Sequence, residues 1–280
     1  MAADFGDAGP LLLALFGLLV GSFLNVLIHR LPKMMELQWA AEIAQASEQS
    51  VTPAAPFNLM VPRSACPRCG TAIAWYDNLP LLSYALLRGR CRHCEAPISL
   101  RYPLVELSSA LLFGFCGWHW GLSMAALAWC VLSAALLTLA LIDWDTTLLP
   151  DAIVLPVLWL GLIGASMRWT GIALESALWG AVAGYLVLWS IYWAFKLVTG
   201  KEGMGYGDFK LLACLGAWFG WEALVPIILM SSIIGAVVGI LLKIKGGLRE
   251  GGVMPFGPFL VGAGLVTMFW DAAGLTPIIP

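Results

Sequence analysis

A series of long apolar segments constrains this chain more than any other feature of its sequence. Hydrophobic residues make up 60% of the 280 residues and charged residues only 11%, whereas about 25% of the residues in a soluble domain are charged. The apolar segments cover 11–31, 104–122, 124–142, 152–170, 174–198, 210–221, 223–243 and 254–273. Because roughly 20 apolar residues cross a bilayer as one helix, the sequence predicts an all-α polytopic membrane protein with about eight transmembrane helices. Its surroundings are then a lipid bilayer, and nothing in the composition points to nucleic acid.

Two of these segments differ from the others, one in its length and one in the charges that flank it. Residues 210–221 are too few for a full crossing, so this segment is predicted to be tilted or to merge with its neighbour. The first segment has the polarity opposite to that of a signal peptide, because no basic residue precedes it and His29 and Arg30 follow its apolar part. It is therefore predicted to be a retained helix. Small and polar residues form a stripe along the first segment, namely Gly17, Gly21, Ser22 and Asn25. This stripe fits either close helix packing or a polar cavity.

The basic residues predict the orientation of the chain in the membrane. If the N-terminus lies outside and the spans alternate, every Lys and Arg except Arg168 falls in an inside loop. Such a bias is what the positive-inside rule describes. The loop after the first helix and the region around 201–210 are therefore predicted to face the cytoplasm.

Two Cys-x-x-Cys pairs lie in the only polar region, residues 32–103. Each pair places two thiolates on one tight turn, and two such turns complete a tetrahedral metal site. The alternative is a pair of disulfides, which are rare in the cytoplasm. The sequence therefore predicts a structural Zn²⁺ bound by Cys66, Cys69, Cys91 and Cys94. Before these pairs, residues 36–60 are predicted to contain a short amphipathic helix around Trp39 and Ile43.

Acidic residues occur at the predicted cytoplasmic ends of two spans. Asp208 opens the 210–221 segment, and Asp143 closes the 124–142 segment. Two carboxylates in a partly dry site cannot easily both ionise, so one holds a proton while the other acts as a base. Such a pair can activate water and protonate a scissile carbonyl, which is aspartyl protease chemistry.

Other residues near these acids have simpler interpretations. On a helix Asp145 would point away from Asp143, and Asp151 is well placed to cap the next helix. Three glycines at alternate positions precede Asp208. These glycines are Gly203, Gly205 and Gly207. They form either a flexible connection or a surface that allows close approach of a substrate backbone.

Three other functions are compatible with parts of this pattern. A transporter could use paired acids as a proton or ion relay, but the chain has no convincing internal repeat. A scaffold could dock partners through the zinc loop, but would leave the two acidic turns unexplained. A peptidase without a second activity would not need the cysteine loop.

Over nearly its whole length the chain resembles the type IV prepilin peptidases, bifunctional leader peptidase/N-methyltransferases of the GxGD class of intramembrane aspartyl proteases. Besides the two cysteine pairs, the resemblance rests on several short motifs. They are GSFLNV at 21–26, WYDNLP at 75–80, LRGRC at 87–91, RYPLVE at 101–106, ID at 142–143 with LPD at 149–151, GYGD at 205–208 and PFGP at 255–258.

The resemblance implies a function and a division of the chain. Asp143 and Asp208 match the catalytic aspartates of the family, and the cysteines match its zinc-binding loop. The substrates would be type IV prepilins and the pseudopilins of type II secretion. Cleavage would occur at the cytoplasmic face of a bacterial inner membrane, and S-adenosylmethionine would supply the methyl group. The division would be a first helix (1–31), a zinc-binding and methyltransferase region (32–103) and a peptidase domain (104–280).

The residues that would hold S-adenosylmethionine are harder to predict. No Rossmann-like glycine fingerprint is present in the chain. The polar part up to residue 106 is the natural candidate region, and Glu106 is its candidate cofactor-binding residue. The alternative for Glu106 is an acid favoured by the helix dipole near a helix start.

Overall fold

The computed structural model describes residues 8–47, 56–245 and 254–272. Within these residues the chain is helical and contains no strand, which confirms the all-α class. The helices are α1 (Gly9–Ala46), α2 (Leu82–Leu86), α3 (Arg101–Trp120), α4 (Met124–Thr146), α5 (Asp151–Ser166), α6 (Leu174–Thr199), α7 (Tyr206–Phe219), α8 (Leu224–Ile244) and α9 (Gly257–Ala272), with a 3₁₀ turn at Trp75–Asn78. Arg249, one of the predicted inside residues, lies outside the described residues.

Each predicted apolar segment corresponds to one helix. Four of these helices, α1, α4, α6 and α8, are long and apolar enough to cross a membrane, and α5 and α9 are shorter apolar helices. The chain is therefore a polytopic membrane protein, and the number of eight spans stays a prediction.

Helix α1 is longer than the sequence predicted. It continues through Pro32 to Ala46, so the predicted amphipathic helix around Trp39 and Ile43 is the end of α1 rather than a separate element. Pro32 removes one backbone hydrogen bond. The following residues, 33–46, are rich in the strong helix formers Ala, Glu, Gln, Leu and Met, and these keep the helix intact. The rest of the predicted 36–60 region includes 48–55, which lie outside the described residues.

The chain divides into two compact units, Met1–Gly121 and Leu122–Pro280. The division follows α3, whereas the sequence placed a domain boundary before it, at 103/104. Helix α3 belongs to the first unit because it runs antiparallel to α1 along most of its length.

Small residues of α1 make close contact with α3 possible. A Cβ atom added at Gly17 would lie 2.7 Å from the Ser109 carbonyl oxygen, and one added at Gly21 would lie 2.7 Å from Glu106 Cα. One turn further on, the Asn25 amide donates a hydrogen bond to a backbone carbonyl in the first turn of α3, at 3.2 Å. These contacts confirm the packing interpretation of the stripe.

Helix α7 is the centre of the second unit. Every residue from 211 to 220 is buried, and α5, α6 and α9 contact it on different sides. A helix that is apolar all round is a buried helix. At 14 residues α7 is only about 21 Å long, and its protein neighbours cover it along that length. The predicted short segment is thus an interior helix rather than a lipid-exposed one.

The backbones of α6 and α7 touch where both helices carry glycine. A Cβ atom added at Gly216 would overlap the Gly180 carbonyl oxygen, and one added at Gly184 would lie 2.7 Å from the Leu212 carbonyl oxygen. On another side of α7, the Trp218 indole N–H donates to the Val157 carbonyl of α5 at 2.9 Å. These contacts fix the position of α7.

We expect Gly216→Ala to destabilise the protein. The new methyl group has no room against α6, and overpacking of this kind costs about 1–3 kcal/mol. Thermal unfolding in detergent measures the effect. Gly262→Ala in α9 is the matched control, because a Cβ atom there meets nothing within 4 Å. Equal unfolding temperatures for the two variants would contradict the close contact.

Candidate functional site

The four predicted cysteine ligands form one cluster in the first unit. Their sulfur atoms all lie within 4.8 Å of one another, and the sulfurs of Cys66 and Cys94 are 3.8 Å apart. Four sulfurs bound to Zn²⁺ at about 2.3 Å lie about 3.8 Å from each other. None of the four cysteines forms a disulfide, so the disulfide alternative is wrong. The donor set and its spacing fit a tetrahedral zinc ion.

Two matching turns of the backbone build this cluster. The Gly70 N–H donates to the Cys66 carbonyl at 2.9 Å, and the Glu95 N–H donates to the Cys91 carbonyl at 3.0 Å. Both Gly70 and Glu95 have a positive φ, near +69° and +57°, which closes a tight turn after each cysteine pair. A short antiparallel bridge flanks each turn. The regular Cys-x-x-Cys spacing therefore becomes two equivalent knuckles that face each other.

The electrostatics of the cluster favour a thiolate at Cys69. The Thr71 hydroxyl lies 3.3 Å from Cys69 Sγ. Hydrogen bonds from the Thr71 side chain and from its backbone N–H lower the pKa of Cys69 to about 6. Hydrogen bonds from the backbone N–H groups of Cys94 and His93 also lower the pKa of Cys91. The pKa of Cys94 is instead raised to about 11, because a backbone hydrogen bond from Ala96 is outweighed by burial and by hydrogen bonds with the other three thiols. Since the thiolate is the form that binds metal, Cys69 and Cys91 are the ligands that are prepared for a cation.

Asp143 lies near the C-terminal end of α4 and is only 4% exposed. Its Oδ2 atom accepts a hydrogen bond of 2.9 Å from the N–H of Gly257, the first residue of α9. The N-terminus of a helix carries a partial positive charge, so this contact stabilises the carboxylate. A Cβ atom added at Gly257 would lie 2.6 Å from the same oxygen. Glycine is therefore the residue that lets α9 approach Asp143.

Asp208 is the third residue of α7 and is 6% exposed. Asp143 is close enough to interact with it electrostatically. Leu149 connects the same elements, because its side chain lies against both Gly207 before Asp208 and Gly257 beside Asp143. The C-terminal end of α4 and the N-termini of α7 and α9 thus meet at two buried acids.

The other two acids near this site have different surroundings. The Asp151 carboxylate pairs with Lys210 Nζ at 2.7 Å. It begins α5 as a helical residue, while Pro150 occupies the N-cap position and no side chain caps the helix. The predicted cap is therefore wrong, because the ammonium group attracts this carboxylate away from the backbone. Asp145 is exposed, whereas Asp143 and Asp208 are buried.

The three glycines before Asp208 differ in what surrounds them. A Cβ atom at Gly203 would lie 2.9 Å from the Phe195 ring, and one at Gly207 would lie 2.7 Å from Leu149 Cβ. At Gly205 the nearest atom would be Asp208 Oδ2, at 3.8 Å. Gly203 and Gly207 therefore allow close packing, whereas the backbone of Gly205 borders open space beside an acid.

Glu106, the candidate residue for the methyl donor, is buried and hydrogen-bonded within the protein. Its Oε2 atom accepts a hydrogen bond of 2.8 Å from the Leu81 N–H, and the Ser22 side chain also donates to it. The first turn of α3 contains no acid, so the helix-start interpretation of Glu106 is wrong. Its carboxylate instead joins α1, α3 and the loop that carries the cysteines.

Two residues at the acid pair were not predicted as site residues. Gly257 and Leu149 contact the acids only because distant parts of the chain meet. The sequence did contain a signal for both, since Gly257 lies in the PFGP motif and Leu149 begins the LPD motif.

The chain also matches known protein families. Residues 15–120 match a family model described as the bacterial peptidase A24 N-terminal domain. Residues 130–240 match a second model, described as the type IV leader peptidase family. The two matched ranges fall within the two structural units, one in each. No solved structure matches the chain significantly.

Curated proteins named prepilin leader peptidase/N-methyltransferase are similar to the chain along most of its length. The Pseudomonas aeruginosa protein is 54% identical, over 91% of this chain and 88% of the relative. The Stutzerimonas stutzeri protein is 53% identical, over 95% and 94%, and the Aeromonas hydrophila protein is 51% identical, over 92% and 90%. With this identity and coverage, the chain belongs to the type IV leader peptidase family.

Proposed function

We propose that this protein removes the leader peptide from type IV prepilins and related pseudopilins, and then methylates the new N-terminal amine. The observation that carries the peptidase half is the meeting of Asp143 and Asp208, two buried acids from different helices. Relatives that carry both activities in their name support the combined function.

The two acids would cleave the peptide bond as a pair. One carboxylate takes a proton from a water molecule, and the water oxygen attacks the scissile carbonyl carbon. The other carboxyl group donates its proton to the carbonyl oxygen. As the tetrahedral intermediate breaks down, the amine leaves with a proton, and the new acid remains on the leader. The pair begins the next cycle with one proton between them.

Both acids have a backbone hydrogen bond that stabilises their ionised form. The Gly257 N–H donates to Asp143 Oδ2 at 2.9 Å, and the backbone of Gly205 makes the corresponding contact with Asp208. Either acid can therefore begin as the base. The other would hold the proton, since two carboxylates in close contact do not both ionise easily.

A substrate backbone could approach the acids along Gly205. This residue is exposed, has an extended conformation (φ −82°, ψ 152°) and borders open space beside Asp208. Peptide bonds inside a helix are protected, so the scissile segment must be unwound, and an extended glycine can lie close to it. The loop that carries Gly205 is held on α6 by an ion pair of 2.8 Å between Lys196 and Glu202.

The similarity to bacterial leader peptidases supports a location in a bacterial inner membrane, and the distribution of basic residues supports the orientation there. With the N-terminus in the periplasm, the cysteine loop and both aspartates would face the cytoplasm. A prepilin that keeps a basic leader in the cytoplasm and an apolar helix in the membrane would present its scissile bond at this face.

Zn²⁺ would be a structural ion in the cysteine loop. Cys66, Cys69, Cys91 and Cys94 would hold it, and the spacing of their sulfurs fits the ion. When bound, it would fix the two knuckles and so contribute folding free energy to a loop in which most of the large apolar side chains are exposed. The methyl donor would be S-adenosylmethionine. Glu106 stays the candidate residue for it, since its carboxylate accepts two hydrogen bonds within the protein and has about four acceptor positions.

We expect Asp143→Asn and Asp208→Asn each to reduce leader cleavage by at least about 10³-fold, since neither acid can be replaced in the proton transfers. The assay uses purified protein and a prepilin in detergent, with thermal unfolding as the test of folding. Asp145→Asn is the matched control, because Asp145 is exposed on the same helix, and it should keep most of the activity. Normal cleavage by either of the first two variants would exclude the pair.

We expect Gly205→Ala to slow cleavage about tenfold, because displacing a substrate by a fraction of an ångström already impairs the reaction. Its unfolding temperature should stay unchanged, since a Cβ atom there meets no atom closer than 3.8 Å. Gly207→Ala provides the contrast and should lower the unfolding temperature, because its Cβ would lie 2.7 Å from Leu149. A Gly205→Ala variant that cleaves at the wild-type rate would refute the proposed substrate path.

We expect Thr71→Val to release zinc at a pH about half a unit higher than the wild type does. Thr71 lowers the pKa of Cys69 to about 6, so its loss raises that pKa, and protons then compete with the metal at higher pH. Metal analysis after dialysis at a series of pH values measures the midpoint. Thr267→Val in α9 is the control.

We expect the Cys66→Ser/Cys91→Ser variant to hold no zinc at any pH, because two of the four ligands are lost. Stoichiometric zinc in that double variant would refute the four-cysteine site.

A further inference from the structure

The segment between the two cysteine pairs contains an apolar stretch that the proposed function leaves unexplained. Residues 79–87 (LPLLSYALL) include no charged residue and contain α2. The side chains of Leu82 and Leu86, four residues apart on α2, are 55% and 74% exposed. Residues at this spacing lie on the same face of a helix. Among the described residues, none covers these two neighbouring leucines, which form an exposed apolar patch in a polar loop.

The contact of this stretch with Glu106 places it beside the apolar part of α1. Leu81 is hydrogen-bonded to Glu106, and the Glu106 backbone lies against Gly21 of α1. The apolar part of α1 ends at Ile28, just before His29 and Arg30. Gly21 lies seven residues before Ile28, which is about 10 Å along the helix. Side chains of α3 tilt towards its N-terminus, and hence towards the Arg30 end. The 79–87 stretch therefore lies within about 10 Å of the level at which the apolar part of α1 ends, on its apolar side.

Several polar groups of the stretch are hydrogen-bonded inside the protein. The Leu81 N–H donates to Glu106, and the Ser83 hydroxyl donates to the Leu79 carbonyl at 2.6 Å. Backbone hydrogen bonds tie Ala85 to Leu81, and Leu87 to Ser83. Internal pairing of this kind is what a lipid environment demands.

We propose that residues 79–87 are inserted into the bilayer leaflet at the Arg30 end of α1, with Leu82 and Leu86 facing lipid acyl chains. The stretch continues the apolar surface of the α1–α3 pair. Two arginines, Arg88 and Arg90, follow it directly and would lie at the level of anionic headgroups. The cysteine loop is then attached to the membrane at its middle, between the two knuckles, as well as at both ends.

Photolabelling of the wild-type, full-length protein in liposomes tests this insertion without any substitution. A lipophilic diazirine partitions into the bilayer and modifies residues that face acyl chains, and mass spectrometry locates the label. We expect several-fold more label on 79–87 than on the first knuckle, residues 64–72. Equal labelling of the two segments would overturn the proposal, and would mean that the exposed leucines face water or another protein.

A second measurement places a fluorescent amino acid at position 86 or, as the matched control, at exposed position 68 in the first knuckle. We expect lipids with a shallow doxyl group to quench the probe at 86 several-fold more strongly than the probe at 68. Aqueous iodide should give the reverse order. A probe at 86 that iodide quenches as strongly as the probe at 68 contradicts insertion. Both outcomes are independent of peptidase activity, so they do not depend on the proposed function.

Discussion

The contact between the backbones of α6 and α7 fixes the position of the central helix of the second unit. Gly180 and Gly216 remove the side chains that would keep these helices apart, and Gly184 does the same one turn away. A helix as apolar and as short as α7 is stable in this position because protein surrounds it on several sides. Its depth in the unit fixes the position of its first turn, and Asp208 lies in that turn. The glycine contact thus positions an acid that lies about two turns away from it along α7.

Burying two acids together is costly, and the structure contains features that offset part of this cost. The N-terminus of α9 donates a backbone hydrogen bond to Asp143, and Asp208 lies in the first turn of its own helix, so both acids lie near the positive end of a helix dipole. The remaining cost is reduced if the pair keeps one proton, and a shared proton is also what water activation requires. The same arrangement therefore limits the loss of stability and fits the proposed chemistry.

The sequence predicted the elements well and the contacts between them less well. The apolar segments predicted every long helix, because a membrane-spanning helix must be apolar over most of its length. The two Cys-x-x-Cys pairs predicted the cysteine cluster, because tight turns and tetrahedral metal coordination leave few other arrangements for four such cysteines. The continuation of α1 past Pro32 was missed, since a proline usually ends a helix and tolerance of one depends on its neighbours. The contacts of Gly257 with Asp143 and of Lys210 with Asp151 link residues far apart in the chain. Spacing and periodicity carry no information about them.

We propose that Asp143 and Asp208 act on the scissile bond as one unit. The most direct test compares the affinity of two leader peptides, one with the ordinary amide at the cleavage position and one with a tetrahedral alcohol there. A site complementary to the transition state binds the alcohol more tightly, by about 10²-fold or more. We predict this preference for the wild-type protein and its loss in both Asp143→Asn and Asp208→Asn. A preference for the alcohol that survives in either variant would contradict the account.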